Sequence, residues 1–157
     1  MTVITVSTSV GRFTTEQRRE LARTLTDAVL VEEVGQQADI AREGFQVHFQ
    51  ERAADGIAIG GQLVADRPVD VVLMDVAVMD GHWPQEVRTK VIENLYAALL
   101  AATGAEQASP GWWVNFRVID EGSWGSRGGM LSIHDILDPR AFTPEKIDAI
   151  QATTPRA

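Results

Sequence analysis

The residues best suited to chemistry stand at the start of the sequence. A β-branched run from Thr2 to Val6 leads into a Gly11-Arg12 turn, so the chain opens with a strand and places an amine at a sheet edge. An α-amino group has an ordinary pKa of about 7.7 to 8.0, which makes it a usable base near neutral pH. Thr2 supplies that amine if Met1 is removed, and it is the candidate catalytic residue. Otherwise Thr2 is an ordinary strand residue, and a retained Met1 moves the amine out of register.

Three arginines are candidates for binding an anionic substrate. Arg12 follows the first strand, where a planar guanidinium can hold a carboxylate through two parallel hydrogen bonds. Its alternative is a solvated turn residue. Arg117 and Arg127 are further candidates, with inter-subunit salt bridges as the alternative, because 22 acidic residues are available to pair with them.

Polar and aromatic side chains near these arginines complete the candidate binding set. Asn115 shares a strand face with Arg117, and Trp124 lies beside Arg127 in a Gly-rich segment. His48 alternates with apolar neighbours, so we expect it to face a pocket or a subunit interface. The four tryptophans, Trp83, Trp112, Trp113 and Trp124, are expected to line a pocket or an interface.

The histidines give no metal signal. His82 and His134 lack a second ligand at a metal-like spacing, and the Gly-rich segment lacks the Lys-Ser/Thr pair of a phosphate loop. We therefore predict neither a metal nor a cofactor.

Composition excludes several classes of protein. With 157 residues, 45% apolar content and four tryptophans, the chain is long enough to bury the core of one domain. A formal charge of −8 disfavours nucleic acids and anionic membranes as partners. No apolar run approaches the roughly 20 residues that span a bilayer, and no basic-then-apolar leader opens the chain. We expect a soluble, cytoplasmic protein.

Two helices are predicted to position the candidate residues. Thr14 and Gln17 have the spacing of a capping box, and an apolar stripe follows until Gly35. A second stripe runs from Pro84 to Gly104. The strands flanking these helices are indicated by period-2 alternation or by Val-rich composition, over 45–49, 69–78 and 113–118.

The order of elements repeats along the chain. Gly60-Gly61-Gln62-Leu63 recurs as Gly128-Gly129-Met130-Leu131 at a similar distance behind its strand. We predict one domain with an α/β (α+β) fold, made of two β-α-β pseudo-repeats, 2–64 and 69–132, and a C-terminal tail, 133–157. Right-handed crossovers place both helices on one face of a four-stranded, mainly parallel sheet. The other face then needs a partner, which implies an oligomer.

Short features are predicted outside the two units. The segment from Gly122 to Gly129 is typical of a hairpin or a bulged edge. Thr143 and Pro144 have the N-cap and first-turn residue types of a short terminal helix.

Taken together, the chain from Thr2 to about Leu137 resembles the tautomerase superfamily. Val47-His-Phe-Gln-Glu51, Thr26-Asp27-Ala28 and Trp113-Val114 are similar to the cis-3-chloroacrylic acid dehalogenase group, whereas Val10-Gly-Arg12 and Ile59-Gly-Gly-Gln-Leu63 resemble 4-oxalocrotonate tautomerase. The resemblance implies a homotrimer with a MIF-like fold, whose sheets face inward. It also implies an N-terminal proline that transfers protons on an enol, and arginines that hold the substrate carboxylate.

The chain departs from that pattern at the residues that carry the chemistry. Thr2 stands where the proline is expected, and only Arg12 matches a substrate-binding arginine. Where the dehalogenase group has its functional residues, this chain has other residue types. Val29 stands in place of the helix histidine and Asn115 in place of the tyrosine, while the arginines fall near Asp80 and Trp83 and the glutamate near Ser126.

Two hypotheses follow from this departure. The first is a diverged tautomerase-like enzyme that acts on a small enol or α,β-unsaturated carbonyl acid. The second is a catalytically inactive homologue that binds a small acidic ligand or serves as a structural subunit.

Overall fold

The computed structural model describes residues 1–156 as two successive strand-helix-strand units and a C-terminal segment. The first unit contains β1 (Thr2–Ser9), α1 (Thr15–Val34), the short α2 (Asp39–Arg42), β2 (Phe45–Arg52), β3 (Ala58–Ile59) and β4 (Gln62–Leu63). The second contains β5 (Val72–Met79), α3 (Gln85–Thr103), β6 (Trp112–Ile119), β7 (Gly125–Ser126) and β8 (Gly129–Met130). The segment that follows ends in α4 (Pro144–Thr153). Single 3₁₀ turns lie at Ala54–Gly56 and Ile133–Asp135.

The main sheet has the order β2-β1-β5-β6. β1 and β2 run parallel, as do β5 and β6, whereas the central pair β1 and β5 is antiparallel. The predicted four-stranded, mainly parallel sheet is therefore confirmed. Because Thr2 lies opposite Val78, the start of β1 meets the end of β5 at one edge of the sheet.

Helix α1 begins and ends where the sequence predicts. The Thr14 hydroxyl accepts a hydrogen bond from the Gln17 amide at 3.2 Å, and the Gln17 side-chain oxygen accepts one from the Thr14 amide at 3.0 Å. Gly35 closes the helix at φ 85°, a left-handed conformation that glycine adopts without steric cost. A Cβ at Gly35 would lie 2.5 Å from the Thr143 hydroxyl oxygen, so the end of α1 is packed directly against the start of α4.

Two predicted positions differ from the structure. The strand expected from Val69 begins at Val72, because the Asp70 carbonyl accepts a hydrogen bond from the Ser109 hydroxyl at 2.9 Å in the preceding loop. Pro84 is the N-cap of α3 and lies just before its first turn.

One apolar cluster lies between the sheet and both helices, which pack side by side on one face. Trp83 and Trp112 are 5% and 3% exposed and belong to this core, so they line no pocket. The opposite face of the sheet is open in the single chain. Trp113 is 62% exposed there, and His48, Asn115 and Arg117 are exposed on the same face.

A second apolar cluster joins the end of α1 to the C-terminal segment. Its buried members are Leu30, Val34, Ala38, Met79, Ile133, Ala141, Phe142 and Ile150. The cluster fixes the C-terminal segment beside the start of β1, where Met1 packs against it. Across the part of the chain that the structure describes, no helix combines the length and the apolar character needed to cross a bilayer.

Candidate functional site

A cavity of about 730 Å³ lies at the edge of the sheet where β1 begins. Its walls come from Met1, the last turn of α1, the stretch around Gly44, the β7–β8 turn and the segment 135–142. Met1, Glu33 and Arg127 bring an amine, a buried carboxylate and a guanidinium to its lining, which also includes the acidic residues Glu43, Asp135 and Asp138. This edge of the sheet therefore holds groups that can exchange protons and bind an anion.

Met1 extends β1 by one residue. Its carbonyl accepts a hydrogen bond from the Met79 amide at 3.1 Å, and its amino nitrogen forms a salt bridge with Glu33. Thr2 is fully buried: its amide donates to the Gly44 carbonyl at 3.0 Å, and its hydroxyl donates to the second Glu33 oxygen at 2.6 Å. With Met1 present, the amine at the cavity is that of Met1, and Thr2 lies directly behind it.

Glu33 stands at an unusual place for a carboxylate. It lies in the last turn of α1, where the negative end of the helix dipole disfavours an acid, and that turn contains no basic residue. It is only 5% exposed. The Met1 amine and the Thr2 hydroxyl together satisfy both of its oxygens, as a buried charge requires.

The neighbouring Glu32 has a separate partner. Its carboxylate lies 2.6 Å from the Lys90 ammonium. Lys146 of α4 also lies near both acids; burial lowers its pKa, although Glu32 and Glu33 oppose that shift. Glu33 is bonded to the Met1 amine whereas Glu32 pairs with Lys90, so these two direct pairings can be tested separately.

Arg127 reaches the cavity from the turn between β7 and β8. Arg127 and Gly128 both have positive φ, 53° and 85°, which is typical of a type I′ turn. The corresponding turn between β3 and β4 is Gly60-Gly61, with φ 60° and 80°. A left-handed conformation costs a non-glycine residue about 1 kcal/mol, so Arg127 keeps a strained position that a glycine occupies in the first unit.

No carboxylate pairs with Arg127 among residues 1–156, where the ion pairs involve other cations. Its side chain therefore remains available to an anion in the cavity.

Arg12 lies at the opposite end of β1. The strand from Thr2 to Ser9, which precedes the Arg12 turn, has eight residues and is roughly 23 Å long. The Arg12 guanidinium pairs with both Asp70 oxygens, at 2.5 and 2.8 Å, and lies 5.0 Å from the centre of the Phe13 ring. Within one chain, Arg12 and the terminal amine do not meet.

The other candidates fall in two places. His48, Asn115 and Arg117 lie on the open face of the sheet, where Asn115 and Arg117 approach the Asp75 carboxylate at 3.5 and 3.8 Å. Trp124 packs against the second apolar cluster. Of the sequence-derived set, the structure brings Thr2 and Arg127 to the edge of the sheet where the amine lies, and Trp124 packs against the apolar cluster that Met1 also contacts.

A smaller cavity of about 370 Å³ lies at the other edge of the sheet, under the β3–β4 hairpin. Its lining is largely apolar and includes Val69, Val71, Leu73 and Trp113, with Arg67 as its charged member. It lacks an acid-base pair. Over residues 1–156 no group of three or more acidic or histidine side chains is placed to hold a metal ion.

Sequence reasoning missed Glu33, although the chain carried a signal for it. Val31-Glu32-Glu33-Val34 places two acids at the end of an apolar helix, where the helix dipole disfavours them. Such a misplaced charge indicates a partner from elsewhere in the chain. The pattern does not show which residue that partner is, because Met1 lies 32 positions away in the sequence.

Comparisons with known proteins agree with this architecture. The family model described as "Tautomerase enzyme" matches residues 3–67. The structure of the Q0 fused 4-OT wild type symmetric trimer is 23% identical, with a TM-score of 0.67 over 87% of this chain and 99% of that chain. N1, a member of the cis-3-chloroacrylic acid dehalogenase family, is 20% identical, with a TM-score of 0.65 over 82% of each chain.

A more distant likeness extends to MIF2 of Leishmania major, 15% identical with a TM-score of 0.61 over 83% of this chain and 97% of that chain. No curated protein matches the sequence. At these identities the solved structures establish the shared fold, and the family model adds a sequence match over the first unit. Residues 3–67 thus match the tautomerase family model, and the chain shares the fold of the 4-OT and cis-3-chloroacrylic acid dehalogenase family structures.

Proposed function

We propose that this protein transfers protons on a small enol or α,β-unsaturated carbonyl acid, converting enol and keto forms. The observation that carries the proposal is the cavity where the Met1 amine, paired with Glu33, and the Arg127 guanidinium lie on common walls. An amine can act as the acid and base, and a guanidinium can hold a carboxylate through two hydrogen bonds. The match of residues 3–67 to the tautomerase family model is consistent with this chemistry.

The identity of the terminal amine depends on whether Met1 is retained. With Met1 present, its primary amine faces the cavity. If Met1 is removed, Thr2 carries the amine at the same edge of the sheet, with its hydroxyl 2.6 Å from Glu33. Either form therefore supplies a primary amine beside the same carboxylate, in place of a secondary amine of proline.

We also propose that three chains assemble as a homotrimer. The exposed sheet face, with Trp113 62% exposed, supports a covering partner, and a solved structure with the same fold is a symmetric trimer. Assembly offers a way for Arg12, His48, Asn115 and Arg117 of neighbouring subunits to approach an amine that they do not reach within one chain. A solution molar mass of about 52 kDa, three times 17.2 kDa, is expected by light scattering. A mass near that of one chain contradicts the trimer.

The direct test is turnover by the unmodified protein. Intact mass and N-terminal sequencing identify the terminal residue, and ultraviolet absorbance follows ketonisation of phenylpyruvate enol or 2-hydroxymuconate. We expect a rate clearly above that in buffer. A rate equal to the buffer rate contradicts the proposal and favours the alternative, an inactive homologue that binds a small acidic ligand or serves as a structural subunit.

The Arg127→Asn variant tests whether Arg127 binds the substrate carboxylate, and its effect on binding can be measured apart from its effect on protein stability. Asn tolerates the left-handed turn position better than Arg, so we expect an unchanged or slightly higher melting temperature. Because the guanidinium is lost, we expect KM for the anionic enol to rise about tenfold, the effect of about 1.4 kcal/mol of binding. Steady-state kinetics and thermal melts measure the two effects.

Arg67→Asn is the matched control, because it removes the same charge from the cavity at the other edge of the sheet. We expect its KM to stay within twofold of the wild type. An unchanged KM in Arg127→Asn would rule out Arg127 as the residue that holds the carboxylate.

A further inference from the structure

We infer that Glu33 is the positioning residue of the terminal amine, an inference that rests on the proposed proton transfer. Glu33 is 5% exposed, and its two oxygens are bound by the Met1 amino nitrogen and, at 2.6 Å, by the Thr2 hydroxyl. These contacts fix the carboxylate from two directions. They hold the amine against the cavity wall.

The charges of the site support this role. A buried carboxylate at the end of α1 needs a positive partner, since the last turn of the helix supplies none. The Met1 amine is that partner, and the pair leaves the nitrogen at the cavity. Glu33 thereby restricts the direction of the nitrogen, so that its proton is aimed before substrate arrives.

The proton transfer balances without another reactant. In ketonisation, an ammonium N–H bond breaks and its proton forms the new C–H bond of the substrate. The enol O–H bond then breaks, the C=O bond forms, and the released proton returns to the amine nitrogen. Glu33 takes no part in these bond changes and holds the nitrogen by a hydrogen bond before and after the cycle.

Glu33→Gln tests the inference with little change of shape. We expect kcat for phenylpyruvate ketonisation to fall at least tenfold and KM to stay within twofold, because the amine loses its carboxylate and the substrate keeps Arg127. Glu33→Asp, which restores the charge on a shorter side chain, should recover part of kcat. Glu32→Gln is the matched control: its carboxylate pairs with Lys90, and kcat should stay within twofold. Thermal melts establish that each variant is folded.

Competitive labelling provides a readout independent of turnover. With trace acetic anhydride, the labelling rate of the terminal amine relative to Lys90 should rise at least threefold in Glu33→Gln, since the nitrogen is no longer held by its hydrogen bond to the Glu33 carboxylate. Mass spectrometry of the amino-terminal peptide measures this ratio. Thr2→Val, which removes only the hydroxyl, should give a smaller rise of the same sign.

The outcomes distinguish the inference from the proposed function. Wild-type kcat together with wild-type labelling in Glu33→Gln overturns the role of Glu33 even if the protein is an active enzyme. An equal loss of kcat in Glu32→Gln also overturns it. If the wild type does not turn over, the proposed function fails, and the labelling ratio alone decides whether Glu33 holds the amine: a rise supports it and no change overturns it.

Discussion

Acetylation of the terminal amine is expected to lower kcat for enol ketonisation at least a hundredfold. An acetylated nitrogen is an uncharged amide that neither gives nor accepts a proton near neutral pH, and general acid-base catalysis contributes about 10² to 10⁴ in rate. The Met1 nitrogen is the amine that lines the cavity beside Glu33. Its loss therefore removes the proton donor and leaves the other cavity walls chemically unchanged.

Reductive methylation is the matched control for this experiment. Both reagents modify the terminal amine and the two lysines, Lys90 and Lys146, but methylation leaves each nitrogen basic and positively charged. We expect the methylated protein to be at least tenfold more active than the acetylated protein. Intact mass confirms the extent of modification, and circular dichroism checks the fold. Full activity in the acetylated protein would mean that the terminal amine plays no part in the reaction.

Local patterns accounted for most of the fold. The capping residues Thr14 and Gln17, the closing Gly35 and the alternation around His48 depend on neighbours close in sequence, and each element was therefore predictable. The Gly-rich segment 122–129 was typical of a hairpin or a bulged edge, and it contains the first part of the β7–β8 hairpin. These features depend on backbone periods and on turn conformations, which a sequence records directly.

The site was less predictable because its contacts join distant residues. Arg12 has a side-chain type suited to binding a substrate, yet it pairs with Asp70, 58 residues away. Glu33 reaches Met1 across 32 residues. Such pairings depend on how the strands are ordered in the sheet, and the antiparallel placement of β5 beside β1 is what brings Met79 next to Met1.

The tryptophans show that side-chain burial was also hard to predict from the sequence. Trp112 and Trp113 are adjacent in β6, and successive residues of a strand point to opposite faces. Trp112 is 3% exposed in the core and Trp113 is 62% exposed on the open face. Composition alone could not assign which of the two faces the helices cover.

Trp83→Ala is expected to destabilise the protein by about 3 to 5 kcal/mol, the range typical for truncating a large buried aromatic side chain. The ring is 5% exposed and meets Phe116 edge to face at a centroid distance of 5.2 Å. At roughly 2 to 4 °C per kcal/mol for a chain of this size, the melting temperature should fall by about 6 to 20 °C. Urea denaturation followed by circular dichroism measures the free energy of unfolding.

Trp83→Phe is the informative partner to that variant, because it keeps an aromatic ring and removes the indole N–H. That group donates a hydrogen bond to the Met79 carbonyl at 2.9 Å, so its loss should cost about 1 kcal/mol. Met79 in turn donates its amide to the Met1 carbonyl at 3.1 Å, so Trp83 supports the strand end that holds the terminal amine. We therefore expect Trp83→Phe to lower kcat more than its small loss of stability implies. A Trp83→Phe variant with wild-type kcat would show that the position of Met1 does not depend on this hydrogen bond.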